Sequence, residues 1–570
     1  MEKSQIKKRL LGPKAKDITV DLLIMGSGTG MAAALAAHEK GLDCLVIEKT
    51  DLVGGSTALS GGAFWVPANR ALLDGGSTDN LAKAKTYLDA VVGQDGNPAR
   101  QAAFLKNGAA AIDMLSRCTT MKFFWAKGYS DYHPEKPGGD LLGRSCECKP
   151  FNISQLGAEG KRFRTSSMEA PVPMPVTGAD YKWMNLMVRK PFKAFPRIFR
   201  RLAQGVGGLL IGRKYVAGGQ AIAAGMFAGL IKADIPVWTE TALIKLNIEN
   251  NRVLSAVVSQ RGEHYTITVR KGIIMAAGGF DHNLSKRQKY QSSYIVNDYS
   301  MGAEGNTGDT LKLVEGLDVK IGMMEEAWWF PAVAPLSEDE TPMVLLAERS
   351  LPGSFIVDEQ GNRFINEAMD YMSFGQVIRA KEKAGNPVKT MWMVFDQTYK
   401  NSYLLAAVVF PRMPLPDSWY KAGIAHQAEN PTALAQAMGI PLGQLEATLL
   451  RFNELASKGV DSDFHRGESA YDHYYGDPTI KPNPNLRPLK GRLYAVKLVL
   501  SDLGTCGGVQ TDENALVLRE DGKAIQGLYA IGNNAANLFG RRYPGAGGTI
   551  CQGLVFGYIA AQHAAAQANS

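Results

Sequence analysis

The stretch Val20-Asp21-Leu22-Leu23-Ile24-Met25-Gly26-Ser27-Gly28-Thr29-Gly30 passes from an apolar segment into a run in which every second residue is glycine. An alanine-rich helical segment, Met31 to His38, follows at once. Leu42 to Ile47 then reads as a second strand, ending at Glu48. Strand, glycine turn, helix, strand and terminal acid within about 30 residues form the unit that holds a dinucleotide. Each part has a physical task. Gly26, Gly28 and Gly30 let backbone approach a pyrophosphate, while the helix start at Thr29 supplies unpaired amides and a positive dipole end. Glu48, with Lys49 beside it, is placed for ribose hydroxyls, and an acid at this place disfavours a 2′-phosphate. The common spacing would put its third glycine at Met31, so the turn departs from the usual form.

Working outward, Gly54-Gly55-Ser56-Thr57-Ala58-Leu59-Ser60-Gly61-Gly62 follows the ribose acid closely. A backbone bared at Gly55, Gly61 and Gly62, with hydroxyls at Ser56, Thr57 and Ser60, suits a pyrophosphate and a flat ring system. A nicotinamide enzyme has no need of it there; a flavin enzyme does. The far end repeats the theme: Gly527 to Asn533 reads as a strand ending in Gly532-Asn533. Gly545-Ala546-Gly547-Gly548-Thr549-Ile550 opens a last helix. Such a helix start, at Gly548 and Ile550, would stabilise negative charge on a reduced flavin. A third apolar strand ends at Ala277-Gly278. The expected fold is therefore α/β plus α+β. A Rossmann-type FAD-binding domain is built from both chain ends, 17–300 and 495–570, with a catalytic domain inserted at 301–494.

Composition narrows the class. The 570 residues are 45% hydrophobic and 21% charged, which suits a folded globular chain and excludes disorder. The longest uncharged apolar run, Tyr215 to Ile231, falls short of a spanning helix and is broken by Gly218, Gly219 and Gln220. Met1 to Lys16 is basic without an apolar core, unlike a signal peptide. Six scattered cysteines form neither a disulfide framework nor a paired zinc pattern, so no metal is expected and a reducing cytoplasm is the default.

The net charge of +8 has a location. Tyr181 to Ala233 contains no acid but ten basic residues, and without it the chain would be slightly acidic. Within it, 181–214 reads as a basic amphipathic insertion beginning near 170. Phe195, Ile198, Phe199 and Leu202 recur at helical spacing, with Arg197, Arg200 and Arg201 expected on the water side. A basic helix with aromatic anchors predicts peripheral attachment to the inner face of a membrane. No helix-turn-helix, zinc-finger or RNA-binding pattern accompanies the charge, so nucleic acid is not an expected partner.

Further motifs complete the picture. Phe64-Trp65-Val66-Pro67, Tyr129-Ser130-Asp131-Tyr132-His133-Pro134-Glu135, and Gly305-Asn306-Thr307-Gly308-Asp309 stand in the first half. The second half carries Ala327-Trp328-Trp329, Gly361 to Glu367 with Tyr371, and Tyr543-Pro544-Gly545-Ala546-Gly547. With the glycine clusters, these resemble the flavoproteins related to fumarate reductase and, more narrowly, the 3-ketosteroid Δ1-dehydrogenases. The fumarate-reducing branch is disfavoured, because Gly504-Thr505-Cys506-Gly507-Gly508 lacks that branch's histidine.

The glycine clusters and Glu48, with no His or Cys in a flavin-linking motif, predict non-covalent FAD; the resemblance adds Asp309 to the cofactor set and implies a neutral 3-ketosteroid substrate, which the membrane-surface reading extends to one with an aliphatic C17 side chain. The resemblance places Tyr543 and the Gly547 amide at the ketone oxygen, Tyr371 as the proton acceptor at C2, Tyr132 as its tuning partner and Tyr129 in the pocket. Two other readings stand beside Δ1-dehydrogenation: a Δ4-(5α)-dehydrogenase of the same fold, and a flavin-carrying electron-transfer or membrane-docking subunit. The position of the new double bond separates the first two, and flavin bleaching by steroid separates both from the third.

Overall fold

The computed structural model describes residues 17–166 and 172–567. Met1 to Lys16 and the first two residues of the expected insertion lie outside the described residues. Five parallel strands form the heart of the larger sheet, in the order Val237–Trp238, Cys44–Ile47, Asp17–Met25, Glu263–Met275 and Ala524–Ala530. Leu22–Met25, Cys44–Ile47 and Ile273–Met275 are buried throughout, as expected of parallel strands covered on both faces. Their register aligns Trp238, Ile47, Met25, Met275 and Ala530 in one row at the carboxyl edge. Ligands of such sheets bind in the crevice beyond that edge.

Both chain ends build this layer. The helix Gly30–Glu39 crosses the C-terminal helix Gly548–Ala566 at small residues. A Cβ on Gly557 would lie 3.2 Å from the Ala33 nitrogen, and one on Gly553 would overlap the Thr29 side chain.

A second, antiparallel sheet is inserted, in the order Met343–Val344, Ala327–Val333, Leu493–Thr505, Met391–Asp396 and Ser354–Val357. Leu493–Thr505 lies in it along its whole length. Its end docks on the first layer, where the Phe280 amide donates to Thr505 Oγ1 at 3.0 Å. The helix Tyr371–Lys383 packs on Ala327–Val333 through Gly375, where a Cβ would overlap Trp329. Asp370 caps it by accepting the Ser373 amide at 3.0 Å, which fixes Tyr371 as its first residue. A three-stranded sheet, Ala63–Trp65, Ser145–Cys148 and Phe123–Trp125, lies beside the C-terminal helix start.

The basic insertion differs in detail from its expectation. The helix Pro191–Leu210 forms, but its buried side is Ala194, Arg201, Gly205 and Gly208, while Phe192, Phe195, Phe199, Val206, Leu209 and Leu210 are exposed. Arg201 is turned inward, its Nε 2.6 Å from Asp180 Oδ2, and Arg197 is half-buried over the Trp183 ring. Ile198 and Leu202 are half-buried too. The reason is Asp180, the last acid before the acid-free stretch. It stands in the capping box of the helix Gly178–Asn185 and draws Arg201 to it. The most exposed face is apolar, with Lys193, Arg213 and Lys214 in water around it.

Candidate active site

One cleft of about 560 Å³ joins the carboxyl edge of the parallel strands to the inserted sheet. At one end it is lined by Gly26, Ser27, Gly28, Thr29, Glu48 and Lys49. Gly26 has φ of 107°, and a Cβ there would overlap the Ala276 carbonyl, so the turn requires glycine. Gly30 does not line the cleft. A Cβ on it would lie 2.9 Å from Ile24 Cγ2, so it performs the close helix–strand packing of the usual third glycine, and Met31 is fully buried.

Glu48 is held at both oxygens. Oε2 accepts from Ser27 N and Oγ at 3.1 and 2.6 Å, and Oε1 accepts from Thr50 N and Oγ1 at 3.0 and 3.1 Å. Lys49 Nζ reaches Asp309 Oδ2 and Thr307 Oγ1, each at 2.8 Å, which joins two distant members of the expected cofactor set. Arg164 also lines this end and was not foreseen. It donates to Thr50 Oγ1 at 3.2 Å, and its Nε is buried without a hydrogen-bond partner. A bare glycine turn, a fixed carboxylate and a guanidinium one partner short fit an anionic dinucleotide such as FAD.

The middle of the cleft is lined by Gly55, Ser56, Thr57, Ser60, Gly61 and Gly62 on one side, and by Ala277, Gly278, Gly532 and Asn533 on the other. Two of the expected hydroxyls are engaged by the fold. Ser56 Oγ accepts the Ala303 amide and Asn306 Nδ2, both at 2.9 Å, and Ser60 Oγ donates to the Thr57 carbonyl at 2.7 Å. Asn533 Oδ1 accepts from Trp328 Nε1 at 3.1 Å. Asn534, which sequence reasoning passed over, holds the Ala277 amide and the Gly278 carbonyl.

At the far end the chain brings distant tyrosines together. The rings of Tyr132, Tyr371 and Tyr543 form a triangle with centroids 5.5, 5.0 and 5.3 Å apart. Tyr129 joins through its hydroxyl, 3.4 Å from that of Tyr132. Trp328 packs on Tyr543 and Phe330 on Tyr371. Gly547 and Ile550 line the same end; Gly547 has φ of 95°, and a Cβ there would overlap Ala63 and Phe64. Gly548 lies off the cleft; its amide donates to the Gly545 carbonyl at 3.1 Å.

Thr549 was missed. Its Oγ1 is 3.0 Å from the Tyr543 hydroxyl, and it lines the cleft. The run Tyr471, Tyr474 and Tyr475 was missed as well. Tyr474 stacks on Tyr129 at 4.3 Å and Tyr471 meets Tyr132 at 4.7 Å. Three tyrosines within five residues was the available signal.

Burial governs the protonation of this end. It raises Tyr371 and Tyr132 well above the ordinary phenol range, raises Tyr543, and pushes Tyr129 up to about 12. Cys146 and Cys148 are pushed up to about 12 by burial, which makes them inert thiols. Arg541 pairs with Asp95 and Glu325 outside the cleft lining.

The chain matches the family described as FAD binding domain over residues 21–550. It is 40% identical over 560 residues to the 3-oxosteroid 1-dehydrogenase of Mycobacterium tuberculosis, covering 96% of this chain and 99% of that protein. It is 32% identical over 568 residues to the 4-oxocyclohex-2-ene-1-carboxylate 5-dehydrogenase of Sinomonas cyclohexanicum, covering 97% of this chain and 95% of that one. Among solved structures it is similar to the 3-ketosteroid delta1-dehydrogenase from Sterolibacterium denitrificans in complex with 1,4-androstadiene-3,17-dione. That match has a TM-score of 0.90 and 32% identity, and covers 96% of this chain and 99% of that one.

Proposed function

The chain belongs to the FAD-binding family of the 3-oxosteroid 1-dehydrogenases, and from that premise we propose that it removes one hydrogen each from C1 and C2 of 3-ketosteroids. The observation that carries this reading is the triangle of Tyr132, Tyr371 and Tyr543 at the end of a glycine-lined cleft. Gly26, Gly28, Glu48, Arg164 and the Gly55–Gly62 segment would hold the dinucleotide. Held there, FAD would supply an acceptor for a hydrogen leaving C1 with its electron pair. His282 is the one His or Cys among the described cleft-lining residues, and both its ring nitrogens are engaged, by Asp298 Oδ2 and the Gly302 carbonyl. This supports non-covalent attachment.

The side chains divide the remaining work. Tyr543 O–H and the Gly547 amide donate to the C3 oxygen, where charge grows as the C2 proton leaves. Thr549, by donating to Tyr543, would leave that hydroxyl's own proton free for the ketone. Tyr371 takes the C2 proton, with Tyr132 against it, while Trp328 and Phe330 keep water from the triangle. A neutral substrate is favoured over a carboxylate. Lys49, Arg164 and His282 lie toward the nucleotide end, whereas Glu147 lies toward the tyrosines. Anaerobic addition of androst-4-ene-3,17-dione should bleach the flavin stoichiometrically. A flavin that stays oxidised would leave the electron-transfer reading in its place.

A second reading concerns location. No described helix is long and apolar enough to cross a membrane. The outward Phe192, 93% exposed, with Phe199, Leu209 and Leu210 and the surrounding lysines and arginines, supports peripheral attachment to an anionic membrane surface. A steroid with an aliphatic C17 side chain partitions into such a surface, so attachment would place the cleft near its substrate.

A further inference from the structure

The tyrosine triangle leaves a chemical deficit. A base at C2 must end the step with one more proton than it began with. Yet burial holds Tyr371 and Tyr132 well above the ordinary range and Tyr129 at about 12, so at neutral pH all three are phenols. A phenol accepts a proton only by passing its own onward. The receiver must hold a free basic site at neutral pH and lie in reach of the cluster.

Glu147 meets that description. It stands in the strand Ser145–Cys148, opposite Ala63, against whose carbonyl Gly547 packs. It is 2% exposed and lines the cleft, and its Oε2 is buried with no hydrogen-bond partner in the chain. The other carboxylates lining the cleft are committed: Glu48 to Ser27 and Thr50, Asp309 to Lys49, and Glu304 to Arg164.

Tyr371, Tyr132 and Tyr129 line the same cleft as Glu147. The Tyr371 ring packs on that of Tyr132 with centroids 5.5 Å apart, and the Tyr132 hydroxyl is 3.4 Å from that of Tyr129. Tyr129, like its stacking partner Tyr474, feels the Glu147 charge. Resting on the dehydrogenase reading above, we propose that Glu147 is the final acceptor of the C2 proton, reached from Tyr371 through Tyr132 and Tyr129.

The step balances. The C2–H bond breaks and its electron pair becomes the C1=C2 bond, while the C1 hydrogen leaves with its pair to the flavin. The C2 proton bonds to Tyr371 O, the Tyr371 proton moves to Tyr132 O, the Tyr132 proton to Tyr129 O, and the Tyr129 proton to Glu147 Oε2. Three phenols end as phenols and one carboxylate ends as a carboxylic acid.

The surroundings set where Glu147 works. Burial raises its pKa, the Gly178 amide lowers it, Asp180 raises it, and the Ala179 amide and Arg201 lower it, to a result of about 7. Tyr129 and Tyr474 face it as neutral phenols, and Cys146 and Cys148 flank it as neutral thiols. The acceptor is the carboxylate, so the step is available above about 7 and fades as pH falls through it. At neutral pH the same group can release the proton before the next turnover.

The test compares wild-type holoenzyme with Glu147→Gln and Glu147→Asp in anaerobic stopped-flow reduction by androst-4-ene-3,17-dione as a function of pH. Glu147→Gln keeps an oxygen for the Gly178 and Ala179 amides, so FAD content and binding of 1,4-androstadiene-3,17-dione should match wild type. Flavin reduction should slow by about 10² or more and lose its fall near neutral pH, and Glu147→Asp should restore that fall. Infrared difference spectra should show a carboxylic acid band forming on reduction of wild type and absent from Glu147→Gln. The proposal is overturned if Glu147→Gln keeps the wild-type rate and pH limb. It is equally overturned if the limb disappears instead in His133→Gln, whose buried Nε2 beside Tyr132 is the rival acceptor. Wild type that steroid fails to bleach overturns the dehydrogenase reading and this acceptor together.

Discussion

The two ends of the cleft are built in opposite ways. The nucleotide end comes mainly from one continuous stretch, Gly26 to Gly62, where backbone conformation does the work: φ of 107° at Gly26 and 77° at Gly62. The tyrosine end draws Tyr129 and Tyr132, Tyr371, Tyr475, and Tyr543 with Gly547 from four separate segments, and there side chains do the work. Local construction binds; long-range construction reacts. Substitutions at the first end should therefore strip the cofactor, and substitutions at the second should leave it bound but idle.

The largest effect expected is at Gly26. With Gly26→Ala the added methyl meets the Ala276 carbonyl at a strained φ, and the purified protein should be colourless. A yellow Gly26→Ala protein with normal turnover would break the contrast at its binding end.

Next come Tyr543→Phe and Tyr371→Phe. Each should cut steroid-dependent turnover by at least ~10² with FAD content unchanged, since one removes an oxyanion donor and the other the proton acceptor. Loss of flavin in either variant would blur the distinction. Thr549→Val sharpens it further: removing one neutral hydrogen bond to Tyr543 should cost roughly tenfold in kcat, with steroid affinity held.

The smallest effect on chemistry belongs to the surface helix. Lys193→Glu, Arg213→Glu and Lys214→Glu together should weaken sedimentation with anionic vesicles while turnover on a soluble steroid stays as in wild type. Raising salt on the wild type should weaken it similarly, because the attraction is screened over ~8 Å at 0.15 M. Unchanged sedimentation would leave the helix a plain surface element.

This contrast also explains what could be read in advance. The glycine turn, Glu48 and the C-terminal Gly545–Gly548 cluster announce themselves because binding by backbone leaves a dense local pattern. Tyr371 and Tyr543 were legible only through family resemblance; no spacing relates positions so far apart. Glu147 and Arg164 left no mark, because a lone acid and a lone arginine look like any others until folding buries them beside the cleft. Arg201 was misread for a related reason. Helical periodicity in an acid-free stretch gave no hint that Asp180, just outside it, would turn that arginine inward.

The most direct test of the central claim offers the enzyme a substrate on which both candidate bonds are open. Given 5α-androstane-3,17-dione under turnover, the tyrosine triangle as assigned should yield the 1-ene as first product. A first product unsaturated between C4 and C5 would contradict the account and transfer the same residues to a Δ4-(5α)-dehydrogenase.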